Sequence, residues 1–356
     1  LIVGGDIDLE GSIDVNGTTN LDAVDIDGAV QIDATLSVGV NDTGYDVKFF
    51  GATASRHMTW DESADSLIIS GDLDVNDGTI KLDGNYPVGT NNVALGDESL
   101  RDITTGSNNT AVGRASLTNV EDGQHNTSVG QNSVTLTTSG SYNTGVGSGA
   151  LQSNTTASYN TAVGYQAGYS NTTGTQNVAV GRLALLDNTT GGYNVALGNG
   201  SLENNTTASE STAVGYQAGY TTTTGTSNSV FGHKAWHGGT GSYNSVFGHT
   251  AYRDGGAGNN NAAFGYASMA NNTGSNNSAF GNQSVQNNTS GQYNTGLGSF
   301  ALFSNTTSSG NTAVGYQAGY SQTTASGGSS SFFGYQAGYS LTGLFCTFVG
   351  GQAGYS

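Results

Sequence analysis

Carboxylates that could form a hydrolytic pair are scarce from residue 85 onward. Glycan hydrolysis needs two carboxyl groups held about 5 Å or about 6.5–9.5 Å apart. Of the nine acidic residues in this region, Asp187 and Glu203 fall at neighbouring positions of successive repeats. Both adjoin Asn-Thr-Thr segments that predict exposed loops, where a raised pKa is hard to obtain. We therefore expect no catalytic residues and no enzymatic activity.

The histidines are candidate metal ligands, since imidazole suits transition ions. His233 and His249 each follow a glycine, one repeat apart, so they are expected to stack as a surface pair. Three chains side by side could place such rows around an ion. The same position elsewhere holds Arg, Asp, Ser, Asn and Tyr, which is typical of a solvent-facing position. We predict no metal site and no cofactor.

Five tyrosines occupy this same position directly after the glycine. Rings beside Asn, Gln and Thr can stack on sugar faces, or they can serve as half-buried packing aids. The candidate surface-recognition residues are therefore Tyr165, Tyr216, Tyr266, Tyr316 and Tyr335.

The element that must position these residues is a repeat of about 17 residues. It reads N-T-A-V-G-Y-Q-A-G-Y at Asn160–Tyr169 and recurs at Ser211–Tyr220 and Asn311–Tyr320. Sixteen central glycines, from Gly96 to Gly350, are separated by eleven intervals of 17 residues, three of 16 and one of 19. So short a period predicts an all-β chain, with a parallel β-solenoid (β-roll) of about 16 coils over residues 85–356.

Within one coil, the residue before the glycine is always apolar, from Leu95 to Val349, and we expect it to face the interior. Short alternation and Gly/Asn/Ser/Thr clusters predict two strands per coil, N-T-A-V-G and roughly Q-A-L. The opening residue is Asn in 13 of 16 repeats and predicts a ladder of stacked amides.

Small residues recur in each coil, for example Ala162, Gly164 and Ala167. They indicate either tight turning within the coil or close approach of another chain's backbone. In five repeats a Gly replaces the large apolar residue that follows the second Ala, and a Tyr comes next, as at Gly168 and Tyr169. This pattern predicts that the ring fills the space of the missing side chain.

Residues 1–84 differ from the repeats and form a separate acidic, β-rich module. They hold 17 of the 26 acidic and three of the eight basic residues, and therefore about −14 of the formal charge of −18. Aliphatic and acidic residues alternate at 5–11, 13–17, 24–28 and 71–75, which predicts strands with one solvated face. Tyr45–Phe50 and Met58–Ile69 predict a small β-module with a turn at Asp61–Asp65. We expect no nucleic-acid partner, because the sequence has no basic patch. We expect no membrane insertion, because it has no apolar run long enough to span a bilayer.

The N-T-A-V-G-x-x-A unit resembles the N-S-V-A-I-G-x-x-S repeats in head domains of trimeric autotransporter adhesins. Those heads are left-handed parallel β-rolls with three chains side by side. The longer form N-T-A-V-G-Y-Q-A-G-Y-S-N-T-T-G, at Asn160–Gly174, is more similar to repeats in tail-fibre proteins of marine and cyanobacterial phages. Val24–Thr35 and Tyr45–Gly51 resemble the same fibres.

This resemblance implies a structural, adhesive fibre of a virion, extracellular, built as an intertwined or side-by-side homotrimer. Its expected partners are other virion tail proteins and a glycan or protein of the host-cell surface. We expect the chain to be a processed or partial piece of a longer protein. Removal of a C-terminal folding chaperone, of the kind that phage fibres carry, would explain where it ends, and so would truncation. The alternatives are a trimeric adhesin on a bacterial cell surface and a tailspike-type glycan hydrolase.

Overall fold

The computed structural model describes residues 47–50, 57–61, 66–70, 90–323, 328–340, 343 and 345–355. The chain divides into two compact units, Leu1–Ile80 and Lys81–Ser356. The acidic alternating segments predicted at 5–11, 13–17, 24–28 and 71–75 lie outside the described residues.

The N-terminal unit contains a three-stranded antiparallel sheet in the order β1-β2-β3. Its strands are β1 (Val47–Phe50), β2 (His57–Asp61) and β3 (Ser66–Ser70). Asp61 pairs with Ser66, so β2 and β3 form the predicted hairpin, whose connecting residues 62–65 lie outside the described part. The predicted β-module is confirmed.

The second unit is a parallel β-solenoid, as predicted. Its sixteen strands form one parallel sheet in chain order, and each strand pairs with the equivalent residues of the next coil. They are β4 (Val93–Leu95), β5 (Thr110–Val112), β6 (Thr127–Val129), β7 (Thr144–Val146), β8 (Thr161–Val163), β9 (Val178–Val180), β10 (Val195–Leu197), β11 (Thr212–Val214), β12 (Ser229–Phe231), β13 (Ser245–Phe247), β14 (Ala262–Phe264), β15 (Ser278–Phe280), β16 (Thr295–Leu297), β17 (Thr312–Val314), β18 (Ser331–Phe333) and β19 (Thr347–Val349). Among the described residues there is no helix, and hence none that could cross a membrane.

Each coil has one strand, so the prediction of a second strand was wrong. After the central glycine the chain forms a continuous turn, in which Gln166 and Gly168 have positive φ angles of 51° and 60°. Extended strands require negative φ, so this segment cannot be β structure. Its backbone still bonds to neighbouring coils, since Gln166 N–H donates to Ser148 O at 2.9 Å and Leu151 N–H to Ala167 O at 3.0 Å. The sequence alternation in this segment reflects a repeated turn.

The apolar residue before the glycine faces outward, contrary to the prediction. Successive residues of a strand point to opposite sides, and here Asn160 and Ala162 take the interior. Val163 is therefore 37% exposed and its counterpart Leu95 is 57% exposed, whereas Ala162 is fully buried. The middle residue is buried in every strand from β5 to β18. The register of the coil shifts by one residue from the predicted one.

The small residues serve tight packing inside the solenoid. Ala162 and Ala167 are fully buried, so they form no flat outer surface for another chain. Gly164 has a φ angle of +137°, and a Cβ on it would lie 2.5 Å from the carbonyl oxygen of Gly181 in the next coil. Of the two predicted explanations, the structure supports tight turning within the coil.

Inside the solenoid, a large side chain in one coil lies against a glycine in a neighbouring coil. A Cβ on Gly168 would come within 3.0 Å of Leu151 Cδ2, so the leucine of the preceding coil fills the space. The prediction that the following tyrosine fills it was wrong: Tyr169 is half-buried beside the turn, and its counterparts Tyr320 and Tyr339 stack on each other at 5.0 Å.

A second form of compensation operates between the turn and the strand. Val134 and Val285 replace leucine in the turn, and in each case the next coil has Gly instead of Ala in the middle of its strand. A Cβ on Gly145 would lie 2.5 Å from Val134 Cγ2, and one on Gly296 would lie 2.6 Å from Val285 Cγ2. The β-branched methyl group of each valine therefore takes the place of the missing alanine Cβ, so the shapes of neighbouring coils are matched.

The predicted asparagine ladder is confirmed, and it bonds mainly to the backbone. Asn160 Oδ1 accepts the N–H of Asn177, the equivalent residue of the next coil, at 2.9 Å. Asn160 Nδ2 donates to Gly174 O, across its own coil, at 2.9 Å. Asn177 is 5% exposed, so its N–H would otherwise be buried without a partner, whereas Gly174 O also accepts from Asn171 Nδ2 at 2.9 Å.

One natural interruption of the ladder shows how it is repaired. Ser211 Oγ accepts the N–H of Asn228 at 3.2 Å, but serine is too short to reach Gly225 O across the coil. Asn228 Nδ2 donates to that carbonyl at 3.1 Å instead. Serine therefore preserves the bond between coils, while the next asparagine supplies the missing one.

We expect Ala162→Asp to destabilise the solenoid by several kcal/mol, because it buries an unpaired carboxylate among stacked coils. Thr173→Asp, at an exposed turn position, is the matched control and should melt like the wild type. Thermal unfolding followed by circular dichroism checks the pair. Equal melting of the two variants would contradict the assigned interior.

Asn160→Ala should cost about 1–3 kcal/mol, because it leaves the buried N–H of Asn177 without a partner and removes one of the two hydrogen bonds to Gly174 O. Asn160→Ser should cost less, as Ser211 retains the bond between coils. The exposed Asn199→Ala is the control for loss of an amide. Denaturant unfolding gives the ranking, and a serine variant no better than alanine would argue against the backbone-bonding role.

Candidate recognition surface

The five predicted recognition tyrosines all lie on the outside of the solenoid. Their exposed fractions range from 42% to 54%, and each directly follows a central glycine that turns the chain at the end of its strand. The residues are Tyr165, Tyr216, Tyr266, Tyr316 and Tyr335.

Stacking between coils decides what these rings can offer a ligand. Tyr216, His233, His249 and Tyr266 form a continuous stack with centroid separations of 5.2, 4.8 and 5.6 Å. The ring faces inside this stack are covered, so it presents edges and polar atoms. The Lys234 ammonium lies 5.8 Å from the Tyr216 centroid, which adds a positive charge beside the stack.

Tyr165 differs, because its neighbours in the column are Ser148 and Arg182. Among the described residues Tyr165 stacks on no aromatic ring, and it is 51% exposed. Tyr316 stacks on Tyr335 at 5.5 Å and meets the edge of Phe300 at 6.2 Å. The five residues are therefore alike in exposure and unlike in what they can bind.

A second tyrosine column was missed by the sequence analysis. It precedes the asparagine ladder, its members have positive φ angles of 57–63°, and they are 50–65% exposed. The recurrent dipeptide Tyr-Asn was the signal that could have revealed it. The residues are Tyr142, Tyr159, Tyr193, Tyr243 and Tyr293.

Together these columns form one band on the outer face of the sheet, which we call the outer band. Alternate residues of a strand share a face, so the residue before the asparagine, the one after it and the one before the glycine all point outward. In the coil of β8 these are Tyr159, Thr161 and Val163, with Tyr165 just beyond the glycine. The two central positions of the band carry no charged residue in any of the sixteen coils.

The histidine pair has no geometry for binding a metal ion. His233 and His249 stack in parallel, with an interplanar angle of 6°, as predicted from their spacing. The lone pairs of imidazole nitrogens lie in the ring planes, so those of stacked rings do not converge on one ion. Among the described residues no three His, Cys, Asp or Glu side chains lie together as metal ligands.

Asp187 and Glu203 are neighbours, and both are half-buried where exposed loops were expected. Asp187 N–H donates to Glu203 O at 2.9 Å. Partial burial raises the pKa of Glu203, and the negative charge of Asp187 adds to the rise. A hydrogen bond from the Tyr220 hydroxyl, at 3.4 Å, acts in the opposite direction. The pair thus has one feature of a general acid, a raised pKa obtained by burial.

No protein-family model, curated protein or solved structure matches this chain.

Glu203→Gln should make the protein more stable at neutral pH and leave it unchanged near pH 4. The folded state holds the Glu203 proton above the usual pKa of 4.5, so it binds more protons than the unfolded state as pH rises from there. The wild type therefore loses stability across that window, and glutamine cannot ionise. Melting temperatures at both pH values test this, with the exposed Glu121→Gln as control. An identical pH dependence of Glu203→Gln and wild type would contradict the raised pKa.

Proposed function

We propose that this chain is a structural fibre of a phage tail, which spans distance and presents the tyrosine columns of the outer band for attachment to a host cell. The observation that carries the proposal is the single uninterrupted sheet of sixteen parallel strands in chain order. At about 4.8 Å per coil it would extend roughly 75 Å. The resemblance of the repeat to those of phage tail fibres supplies the biological setting, a virion outside the cell.

Stiffness supports this role. Each coil is tied to both neighbours by strand pairing, by the asparagine ladder and by close contact of the central glycines. Bending the rod would open these contacts on one side, including buried hydrogen bonds that are costly to leave unmade. A rod of this kind transmits position and load, as an attachment fibre must.

Association of chains forms part of the proposal, with a homotrimer as the assembly. A coil buries mainly two alanines, one larger apolar residue and asparagine, which is little core for its surface. The uncharged centre of the outer band, with Val, Leu or Phe in one column and mostly Thr or Ser in the other, is a surface that association would bury. Light scattering of the intact protein should then give about three times the chain mass of 36.0 kDa.

The proposed role involves no bond cleavage. The half-buried pair Asp187 and Glu203 lies beside the turn, where the Tyr220 hydroxyl donates to Glu203. Partial burial by local packing accounts for the raised pKa of Glu203, against the opposing effect of the Tyr220 hydrogen bond. The double variant Asp187→Ala/Glu203→Ala should bind host surfaces like the wild type, and neither protein should release reducing ends from host glycans.

Replacing the five post-glycine tyrosines by serine should reduce attachment without reducing assembly. Exposed rings contribute large contact areas at recognition surfaces, so we expect at least a tenfold loss of binding to immobilised bacterial surface polysaccharides, about 1.4 kcal/mol or more. The variant carries Tyr165→Ser, Tyr216→Ser, Tyr266→Ser, Tyr316→Ser and Tyr335→Ser.

The matched control replaces the five tyrosines that precede the ladder, which are equal in number and at least as exposed. If both variants attach like the wild type, the outer band is not the recognition surface. Tyr165→Ser alone should account for more of the loss than Tyr216→Ser, because Tyr216 stacks on His233 whereas Tyr165 stacks on no described aromatic ring.

A further inference from the structure

The sixteen coils can be aligned with one another, because they repeat the same positions. In this alignment, the residue types at the two central positions of the outer band vary together. In five coils the residue before the glycine is Phe, and the residue after the asparagine is then Ser or Ala. In the remaining eleven coils the residue before the glycine is Val or Leu, and the residue after the opening position is Thr or Val. The five coils contain Ser229/Phe231, Ser245/Phe247, Ala262/Phe264, Ser278/Phe280 and Ser331/Phe333.

Both residues of each pair point outward from the same strand. In the five phenylalanine coils the larger side chain before the glycine is thus matched by a smaller one after the asparagine. Side chains that only face water have no need of a constant combined volume, whereas packed layers do. Nevertheless Phe280 remains 39% exposed and Val163 37% exposed. Within the described residues, nothing covers this face.

We infer that these two central columns of the outer band form the surface along which copies of this chain pack, coil against coil. The inference rests on the proposed assembly and names the face that builds it. The tyrosine columns then lie at the two margins of the contact, where their polar ends can remain in water.

A copy of this chain is the occupant that fits the spacing. The rings of Phe231, Phe247, Phe264 and Phe280 stack at centroid separations of 4.7, 4.7 and 4.8 Å, which measures the rise per coil. A partner with any other rise would fall out of phase along sixteen coils. A parallel copy in register keeps the phase, and each layer then meets layers of identical volume.

The available area is sufficient. Sixteen strands about 4.8 Å apart, each contributing about five residues of width at about 3.3 Å, give a face of roughly 1,200 Å² per chain. A standard specific interface uses about 800 Å² per partner. The two central columns contain no charge, so burying them leaves no unpaired ion.

The decisive experiment exchanges one volume pair in the full-length chain. Phe247→Val leaves a gap in one layer and Ser245→Thr overfills it, so each should weaken association about tenfold. The double variant Ser245→Thr/Phe247→Val reproduces the Thr/Val pair found in seven other coils and should restore association to near the wild-type level. Analytical ultracentrifugation over a dilution series measures all four proteins.

Val163→Lys provides an independent arm. It places a charge at the centre of the face and should abolish association, while the circular dichroism of the solenoid is retained. Thr173→Lys, at an exposed turn position on another part of the coil, should associate normally.

Each outcome separates this inference from the proposed fibre. Normal association of Val163→Lys would overturn the assignment of the face, even if the wild type is a trimer. So would a double variant Ser245→Thr/Phe247→Val that associates no more tightly than the single variant with the lower affinity. Single variants that melt lower but associate normally would show that the volume match acts within one chain, which also overturns it. A wild type that stays monomeric at every concentration would refute both the interface and the trimeric fibre.

Discussion

The spacing of successive coils is the constraint on which the remaining features of the solenoid depend. Parallel pairing of three-residue strands sets it, and the stacked phenylalanines record it as 4.7–4.8 Å. At this distance a Cβ on Gly164 would collide with the carbonyl of Gly181, so the turn after each strand must be glycine. The same distance lets Asn160 Oδ1 reach the N–H of Asn177. Glycine and asparagine recur because the spacing admits few other residues.

The spacing also makes neighbouring coils share one interior. Leu151 occupies the space beside Gly168, and Val134 occupies the space beside Gly145. The largest buried side chain is that of Trp236, which occupies the space beside Gly239, where a Cβ would collide with the indole ring. The buried indole N–H of Trp236 has no hydrogen-bond partner. Adjacent layers therefore change together, and a single enlarged residue is tolerated only where a glycine faces it. Cooperativity of the rod follows, since no coil can be repacked alone.

The period, the order of strands, the asparagine ladder and the outward tyrosines after the glycine were predictable from the sequence, because each recurs at a fixed position. The direction of the strand was not. In Thr161-Ala162-Val163 both apolar residues are candidates for the interior, and hydrophobicity favours the valine. A three-residue strand offers too short an alternation to decide, and the buried middle position holds Ala in most coils but also Val230, Val246 and Phe332. The prediction of a second strand was wrong for a related reason. The pattern of residue types does not reveal the positive φ angles at Gln166 and Gly168.

The outward valine changes how the free energy of this fold is distributed. A chain that buries alanine and exposes Val, Leu and Phe keeps much of its hydrophobic stabilisation in reserve, at about 25 cal/mol per Å² of apolar surface, until that surface is covered. The volume match between Ser245 and Phe247, and between Thr161 and Val163, is intelligible if covering occurs layer by layer. Neutrality of the two columns fits the same requirement, since about −14 of the net charge of −18 lies in residues 1–84. A single coil therefore leaves apolar surface uncovered in two directions: toward the coils above and below it, and, in the proposed assembly, toward a neighbouring chain.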